Sequence, residues 1–235
     1  MRAMAVAIGT GRAAVVGSLL AVIALSWAWL VAMPSHGSAS YAASMLAMWL
    51  LMMVAMMLPS ALPMILVLGR FGSRSGVDTA LFAAGYLIVW ALFSVLATAA
   101  QWGLARAGLL SADLALAGGA IAAAAFIAVG AWQFAPLKRR CLHACRSPIA
   151  FLSAHWRAGR AGALLMGLHH GAFCLGCCWA LMALLFVGGV MNLLWIVPVA
   201  LFVLVEKCLP GGERVGQAAG ALLIAWGAAA LFIAA

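Results

Sequence analysis

The feature that most limits the fold of this chain is a series of unbroken apolar runs, each about 20 residues long. Such a run crosses the hydrocarbon core of a bilayer when it forms an α-helix. Within lipid the backbone must satisfy its own hydrogen bonds, which leaves only helices or closed barrels. Barrel strands alternate apolar and polar residues over about 10 residues, and these runs do not alternate. The pattern therefore predicts an all-α fold, a polytopic transmembrane helix bundle.

Seven spans are predicted, separated by short segments that carry most of the charges. Their expected ranges are 12–33, 42–68, 79–104, 114–135, 161–187, 190–208 and 215–234. The first run is longer than the apolar region of a signal peptide, about 7–15 residues, so we interpret it as a retained span. We predict one integral membrane domain over residues 1–235, with a basic cytoplasmic loop at 136–160 that is too short for a core of its own.

The basic residues orient the chain. Of the 13 Lys and Arg residues, only Arg106 falls on the side opposite the others. By the positive-inside rule the other twelve mark the cytoplasm, which puts the N-terminus inside and, with seven spans, the C-terminus outside. A cleaved first span or a re-entrant pair would lower the count but keep this sidedness. The net charge of +9 thus has a topological origin, so we expect lipid and no nucleic acid as partner, in a bacterial inner membrane.

The second span carries six methionines within thirteen residues. At about 100° per residue, Met48, Met52 and Met56 stack on successive turns of one helix face. Thioethers are soft ligands that select Cu(I) over harder ions. Pro59 and Pro63 interrupt the helix just beyond and free backbone carbonyls. The alternative is that these methionines are flexible apolar packing residues.

The fifth span carries an imidazole and thiols on one face. His170, Cys174 and Cys178 recur at every fourth position, and Cys177 lies beside them. Together these groups are typical of a soft-metal site. A histidine within a span is costly in lipid and indicates a functional site by default. The alternative is that the cysteines are small packing residues.

Both clusters are expected near the bilayer midplane, because the second span runs inward and the fifth outward at about 1.5 Å per residue. Whether the two spans touch is left open by a single sequence. The predicted Cu(I) site consists of Met48, Met52, Met56, His170, Cys174, Cys177 and Cys178. Zn(II) at the thiols remains an alternative.

A second cluster lies in the basic segment that follows the fourth span. Cys141, His143 and Cys145 have the spacing C-x-H-x-C among several Lys and Arg residues, which favour the metal-binding thiolate. Cys208 ends the sixth span on the same side. These four residues predict a second metal site at the cytoplasmic face; the alternative is a membrane-anchoring loop with incidental cysteines.

The chain resembles an uncharacterised bacterial family of predicted metal-binding integral membrane proteins, a domain of unknown function. The resemblance covers residues 45–208, and it implies a metal-binding membrane protein with no settled activity. It is carried by Met48, Trp49, Met52, Met53, Met56, Met57, Pro59 and Ser60, by Pro136, Leu137, Lys138, Cys141, Cys145, Arg146 and Pro148, by Gly167, Gly171, Cys174, Gly176, Cys177, Cys178, Trp179, Leu181 and Met182, and by Glu206 and Lys207. The M-x-x-x-M repeat is also similar to the filter of eukaryotic copper importers, one short motif that we attribute to convergence.

The leading functional hypothesis is Cu(I) handling, by permeation or by delivery to a cuproenzyme, with a copper chaperone or cuproenzyme as the expected partner. No P-loop, dinucleotide glycine motif, GxSxG or HExxH occurs, so a non-enzymatic role is favoured. The runner-up is a thiol-redox or electron-transfer protein, because Cys174 and Cys177 form a C-x-x-C pair. A structural membrane subunit is the third reading. His36 and His155 are interpreted as solvated, and the oligomeric state is left open.

Overall fold

The computed structural model describes residues 2–32, 41–71, 76–111, 114–117 and 119–234; His36 lies outside them. The helices are α1 (Arg2–Ala32), α2 (Tyr41–Phe71), α3 (Gly76–Arg106), α4 (Gly119–Trp132), α5 (Pro136–Arg146), α6 (Pro148–His155), α7 (Gly159–Ala183), α8 (Leu185–Gly188), α9 (Leu193–Cys208) and α10 (Gly212–Ala234). The described residues contain no β-strand beyond an isolated bridge between Leu110 and Leu116. The predicted all-α fold is therefore confirmed.

Four helical segments are long and apolar enough to cross a membrane. They are Ala42–Gly69, Gly76–Arg106, Gly159–Gly188 and Gly212–Phe232. The pair α4 and α5 supplies a fifth if it counts as one broken span, although the two helices are bent by 63°. Several spans are thus supported by the described residues, whereas the count of seven and the orientation of the termini stay predictions.

The region around the fourth predicted span differs from the expectation. A helix was expected over 114–135, but α4 has only 14 residues. At about 1.5 Å per residue it is about 21 Å long, less than the roughly 30 Å of a hydrocarbon core. The segment 136–160, expected as a loop, is largely helical. Pro136 and Pro148 begin its two helices, because proline is tolerated in a first helical turn.

The chain divides into two compact units. Unit 1 comprises Met1–Val95 and Ala144–Leu175, and unit 2 comprises Leu96–His143 and Gly176–Ala235. Both α3 and α7 contribute to each unit, since the boundaries fall at Val95 and Leu175 within these helices.

In unit 1, helix α2 lies largely in the core, and each of its residues from 48 to 58 is buried or half-buried. Helices α1 and α6 pack against it. One contact involves Pro59, which cannot donate to the carbonyl of Ala55 four residues earlier. The Trp27 indole of α1 donates to that carbonyl at 3.2 Å instead. A proline-freed carbonyl was predicted in α2, and at Ala55 it is used to dock a neighbouring helix.

Helices α3 and α7 approach each other closely in unit 1. A Cβ atom at Gly167 would collide with the Phe82 carbonyl, and one at Gly171 would lie 2.9 Å from the Val89 side chain. Small residues allow such backbone approach between helices in a membrane. The small-x-x-x-small spacing of Gly167 and Gly171 thus sets α7 against α3.

In unit 2, helix α10 packs against α4 and α9. The α4–α10 contact also depends on glycines. A Cβ atom at Gly130 would lie 2.6 Å from the Gly220 carbonyl, and one at Gly227 would lie 2.7 Å from the Ala123 carbonyl. The two backbones are therefore nearly in contact, as expected of packing between small residues.

Candidate metal-binding groups

The methionines of α2 are all buried. Their exposed fractions do not exceed 9% in the set Met45, Met48, Met52, Met53, Met56 and Met57. Burial therefore does not distinguish the predicted stripe from the methionines on the other side of the helix. It makes every thioether a core group of unit 1, and the role of Met48, Met52 and Met56 as ligands stays a prediction.

Tyr86 of α3 links α2 to Cys174 of α7. Its hydroxyl donates to the Met57 carbonyl at 2.9 Å and lies 3.0 Å from Cys174 Sγ. A phenol has one proton to donate. With that proton on the Met57 carbonyl, the Cys174 thiol is the donor to the Tyr86 oxygen. The contact answers part of the question that the sequence left open, because it brings a thiol of α7 beside the methionine-rich segment of α2.

His170 lies one turn before Cys174 and is buried among aromatic rings. Its ring centroid is 5.7 Å from Phe82, 5.7 Å from Tyr86 and 5.2 Å from Phe151. Tyr86 thus touches both His170 and Cys174, the two predicted ligands that α7 contributes to unit 1. These rings hold the imidazole in a fixed place in the core.

The other predicted thiols of α7 belong to unit 2 and are also buried. Lys207 of α9 donates to Cys178 Sγ at 3.5 Å. Cys141 of α5 packs on α7, because a Cβ atom added at Gly176 would lie 2.7 Å from its sulfur. Burial raises the pKa of the Cys141 thiol, and the nearby Cys177 raises it further. Cys141 is therefore a neighbour of Cys177, although the sequence placed the two in different sites.

The C-x-H-x-C segment is helical, which changes how its members can cooperate. Residues two apart on a helix face away from each other. His143 accordingly is exposed while Cys141 is buried, and Cys145 is intermediate. Cys208 is exposed at the end of α9. Within the described residues, no three or more His, Cys, Asp or Glu side chains converge as a metal-binding group; that set does not include methionine.

A buried polar cluster in unit 2 escaped the sequence reasoning. Lys138 of α5 and Glu206 of α9 form an ion pair at 2.5 Å, with side chains only 2% and 1% exposed. Lys138 also donates to Gln133, and the Glu206 carboxylate lies against Gly216 of α10. The sequence does contain an indication of this cluster, because Glu206 is one of only four acidic residues and lies at the end of an apolar run. An ionisable residue in such a run is expected to be paired.

The fold and these groups define a helical protein with membrane-spanning segments whose interior is rich in thiols and thioethers. The family model described as "PpoB2: Copper chaperone" matches residues 46–230. The chain belongs to this family, which confirms its relation to a metal-binding membrane family. No curated protein and no solved structure matches the chain.

Proposed function

We propose that this protein is a copper chaperone embedded in the bacterial inner membrane, which holds Cu(I) on buried soft side chains and delivers it to a cuproenzyme. The observation that carries the proposal is the position of the Tyr86 hydroxyl between the Met57 carbonyl and Cys174 Sγ. A buried thiol of unit 1 thus lies beside the helix with the most thioethers, which supports a shared soft-ligand site. The description of the family supports copper as the cargo.

In unit 1 the proposed ligands are Cys174, His170 and the thioethers of Met48, Met52 and Met56. Cu(I) binding removes the Cys174 proton, since the thiolate is the metal ligand. The Tyr86 oxygen then loses its donor and can turn its own proton from the Met57 carbonyl toward the sulfur. Tyr86 would thus stabilise the metal-bound thiolate without binding the metal.

In unit 2 we propose a separate thiol group, formed by Cys177 and Cys178 with Cys141 beside Cys177. The Lys207 ammonium near Cys178 favours a thiolate. His143 and Cys208 are proposed as outer residues of this cytoplasmic-face site, where copper is received or released; Cys145, which the sequence grouped with them, belongs to unit 1. Zn(II) is the competing ion here, because thiolates bind it well whereas thioethers do not.

Copper binding by purified, reduced protein tests the proposal, measured as bound copper against a competing chelator. Cys174→Ser should weaken Cu(I) binding in unit 1. The triple change of Met48, Met52 and Met56 to Leu should weaken it as well, while costing less than about 1.5 kcal/mol of stability per site. Met64→Leu is the matched control, because Met64 is an equally buried methionine of α2 outside the proposed set.

Unchanged copper affinity in both Cys174→Ser and the triple variant would refute the unit 1 site. If copper binding is lost only in the double variant Cys177→Ser with Cys178→Ser, the copper site lies in unit 2. Bound haem, or a disulfide that titrates reversibly in place of copper, would support the redox alternative. Copper retained by the protein but never passed to a soluble acceptor would argue for permeation over delivery.

A further inference from the structure

A pair of histidines outside the proposed core site lies in unit 1. His155 ends α6 and His169 lies in α7, and their ring centroids are 5.9 Å apart with planes at 79°. Both are of intermediate exposure, so they are reachable from outside the core. The sequence interpretation of His155 as a merely solvated side chain does not account for this pairing.

The His155 ring is held in one orientation and one tautomer. It stacks on Phe151 at 4.7 Å with planes only 19° apart. Its Nδ1 lies 3.1 Å from the Phe151 carbonyl, which can only accept a hydrogen bond. Nδ1 therefore donates to that carbonyl, which makes Nε2 the nitrogen that a metal ion would bind. A histidine whose other nitrogen donates to a backbone carbonyl is the usual arrangement of a metal-ligating imidazole.

The separation of the two rings suits a shared ion. A metal–imidazole bond is about 2.0 Å long, so two rings bound to one ion have centroids up to about 6 Å apart. The observed 5.9 Å lies within this reach. Phe173 packs on His155 at 5.8 Å and on Phe151 at 6.0 Å, which confines the ring further.

The pair is continuous with the core through ring contacts. Phe151 touches both His155 and His170, and His170 touches Tyr86, whose hydroxyl lies against Cys174 Sγ. A run of imidazole and aromatic side chains thus extends from a reachable histidine pair to the buried thiol. Within unit 1 it joins an accessible position to the proposed ligands.

We propose that His155 and His169 form a copper-loading site, which binds Cu(I) through two imidazole nitrogens and feeds the core site at His170 and Cys174. This inference rests on the proposed function. The transfer is ligand exchange without a change of oxidation state. Copper–nitrogen bonds break, a copper–sulfur bond forms, and the proton released by Cys174 replaces copper on the imidazole that the ion leaves.

Loading kinetics test this site with the full-length protein in detergent and Cu(I) supplied from a chelator. The double variant His155→Gln with His169→Gln should load the core roughly tenfold more slowly or worse, as loss of a metal's supporting groups typically costs 10–100-fold. The copper content at equilibrium should stay that of the parent. Ser153→Ala is the control, because Ser153 is an exposed residue of α6 whose hydroxyl donates to the Ala150 carbonyl of its own helix.

X-ray absorption of copper-loaded Cys174→Ser provides a second readout that does not depend on the double variant folding. With the core thiol removed, the imidazole share of the copper scattering should rise above that of the parent, and it should fall again in Cys174→Ser carrying His155→Gln. Loading at the parent rate in the double variant, or no imidazole scattering in Cys174→Ser, would overturn the loading site. If copper is bound by imidazole and Cys174→Ser has the same copper affinity as the parent, the core site is refuted and the loading site stands.

Discussion

The buried ion pair of unit 2 makes a quantitative prediction. Lys138 and Glu206 meet at 2.5 Å with side chains 2% and 1% exposed, so neither charge can be solvated if its partner is lost. Breaking such a pair by removing one charge costs about 3–5 kcal/mol. Glu206→Gln should therefore destabilise the protein by that amount, a change of about two to three and a half powers of ten in the unfolding equilibrium.

The chain offers a matched control for this change. Arg139, the residue after Lys138, pairs with Glu213 at 2.9 Å, but these side chains are 54% and 47% exposed. Solvent screening limits such pairs to about 0–1 kcal/mol. Glu213→Gln makes the same chemical substitution and should therefore be nearly silent.

Equilibrium unfolding in mixed micelles, followed by tryptophan fluorescence, measures both variants. Combining Glu206→Gln with Lys138→Met should recover most of the loss, because the Lys138 charge is then no longer buried without its carboxylate partner. Equal and small effects of Glu206→Gln and Glu213→Gln would refute the reasoning. The reasoning would also be refuted if the double variant were destabilised by the sum of the losses measured for Glu206→Gln and Lys138→Met.

Two further predictions concern unit 1 and its packing. Gly167→Ala should cost at least about 2 kcal/mol in the same unfolding assay, since its Cβ meets the Phe82 backbone and not a movable side chain. Gly103→Ala is the control. A Cβ atom there meets nothing within 4 Å, so the change should be neutral or stabilising by up to about 1 kcal/mol. Tyr86→Phe should cost about 0.5–1.5 kcal/mol in stability and lower copper affinity without changing stoichiometry, because it removes the hydroxyl that donates to the Met57 carbonyl and lies against Cys174 Sγ. Unchanged affinity measured against a chelator would exclude the proposed role of the hydroxyl.

Hydrophobic length predicted the helical class and the principal spans, since long apolar runs allow few other structures in lipid. Hydrophobic length did not predict the features that depend on contacts between helices. No buried partner was predicted for Lys138 or Lys207, but both are buried against partners in unit 2. Sequence distance hid those partners, since Glu206 is 68 residues from Lys138.

The candidate ligands were likewise predictable within one helix but not between helices. Helical periodicity grouped Met48, Met52 and Met56 on one face of α2, but burial does not single them out, because every methionine of α2 is buried. The C-x-H-x-C spacing was assigned to a loop, and in a helix it separates His143 from Cys141. The His155–His169 pair was missed since its members lie on different helices, and only the fold brings them together.

The hydrogen bond from Trp27 to the Ala55 carbonyl has a consequence for how the chain enters the bilayer. Synthesis proceeds from the N-terminus, so α1 is made before α2. The carbonyl that Pro59 leaves without a donor would be costly in hydrocarbon if α2 arrived alone. The donor to this carbonyl, Trp27, lies in α1, the helix made immediately before α2. The first two helices can therefore insert as a hairpin in which the Ala55 carbonyl already has its donor.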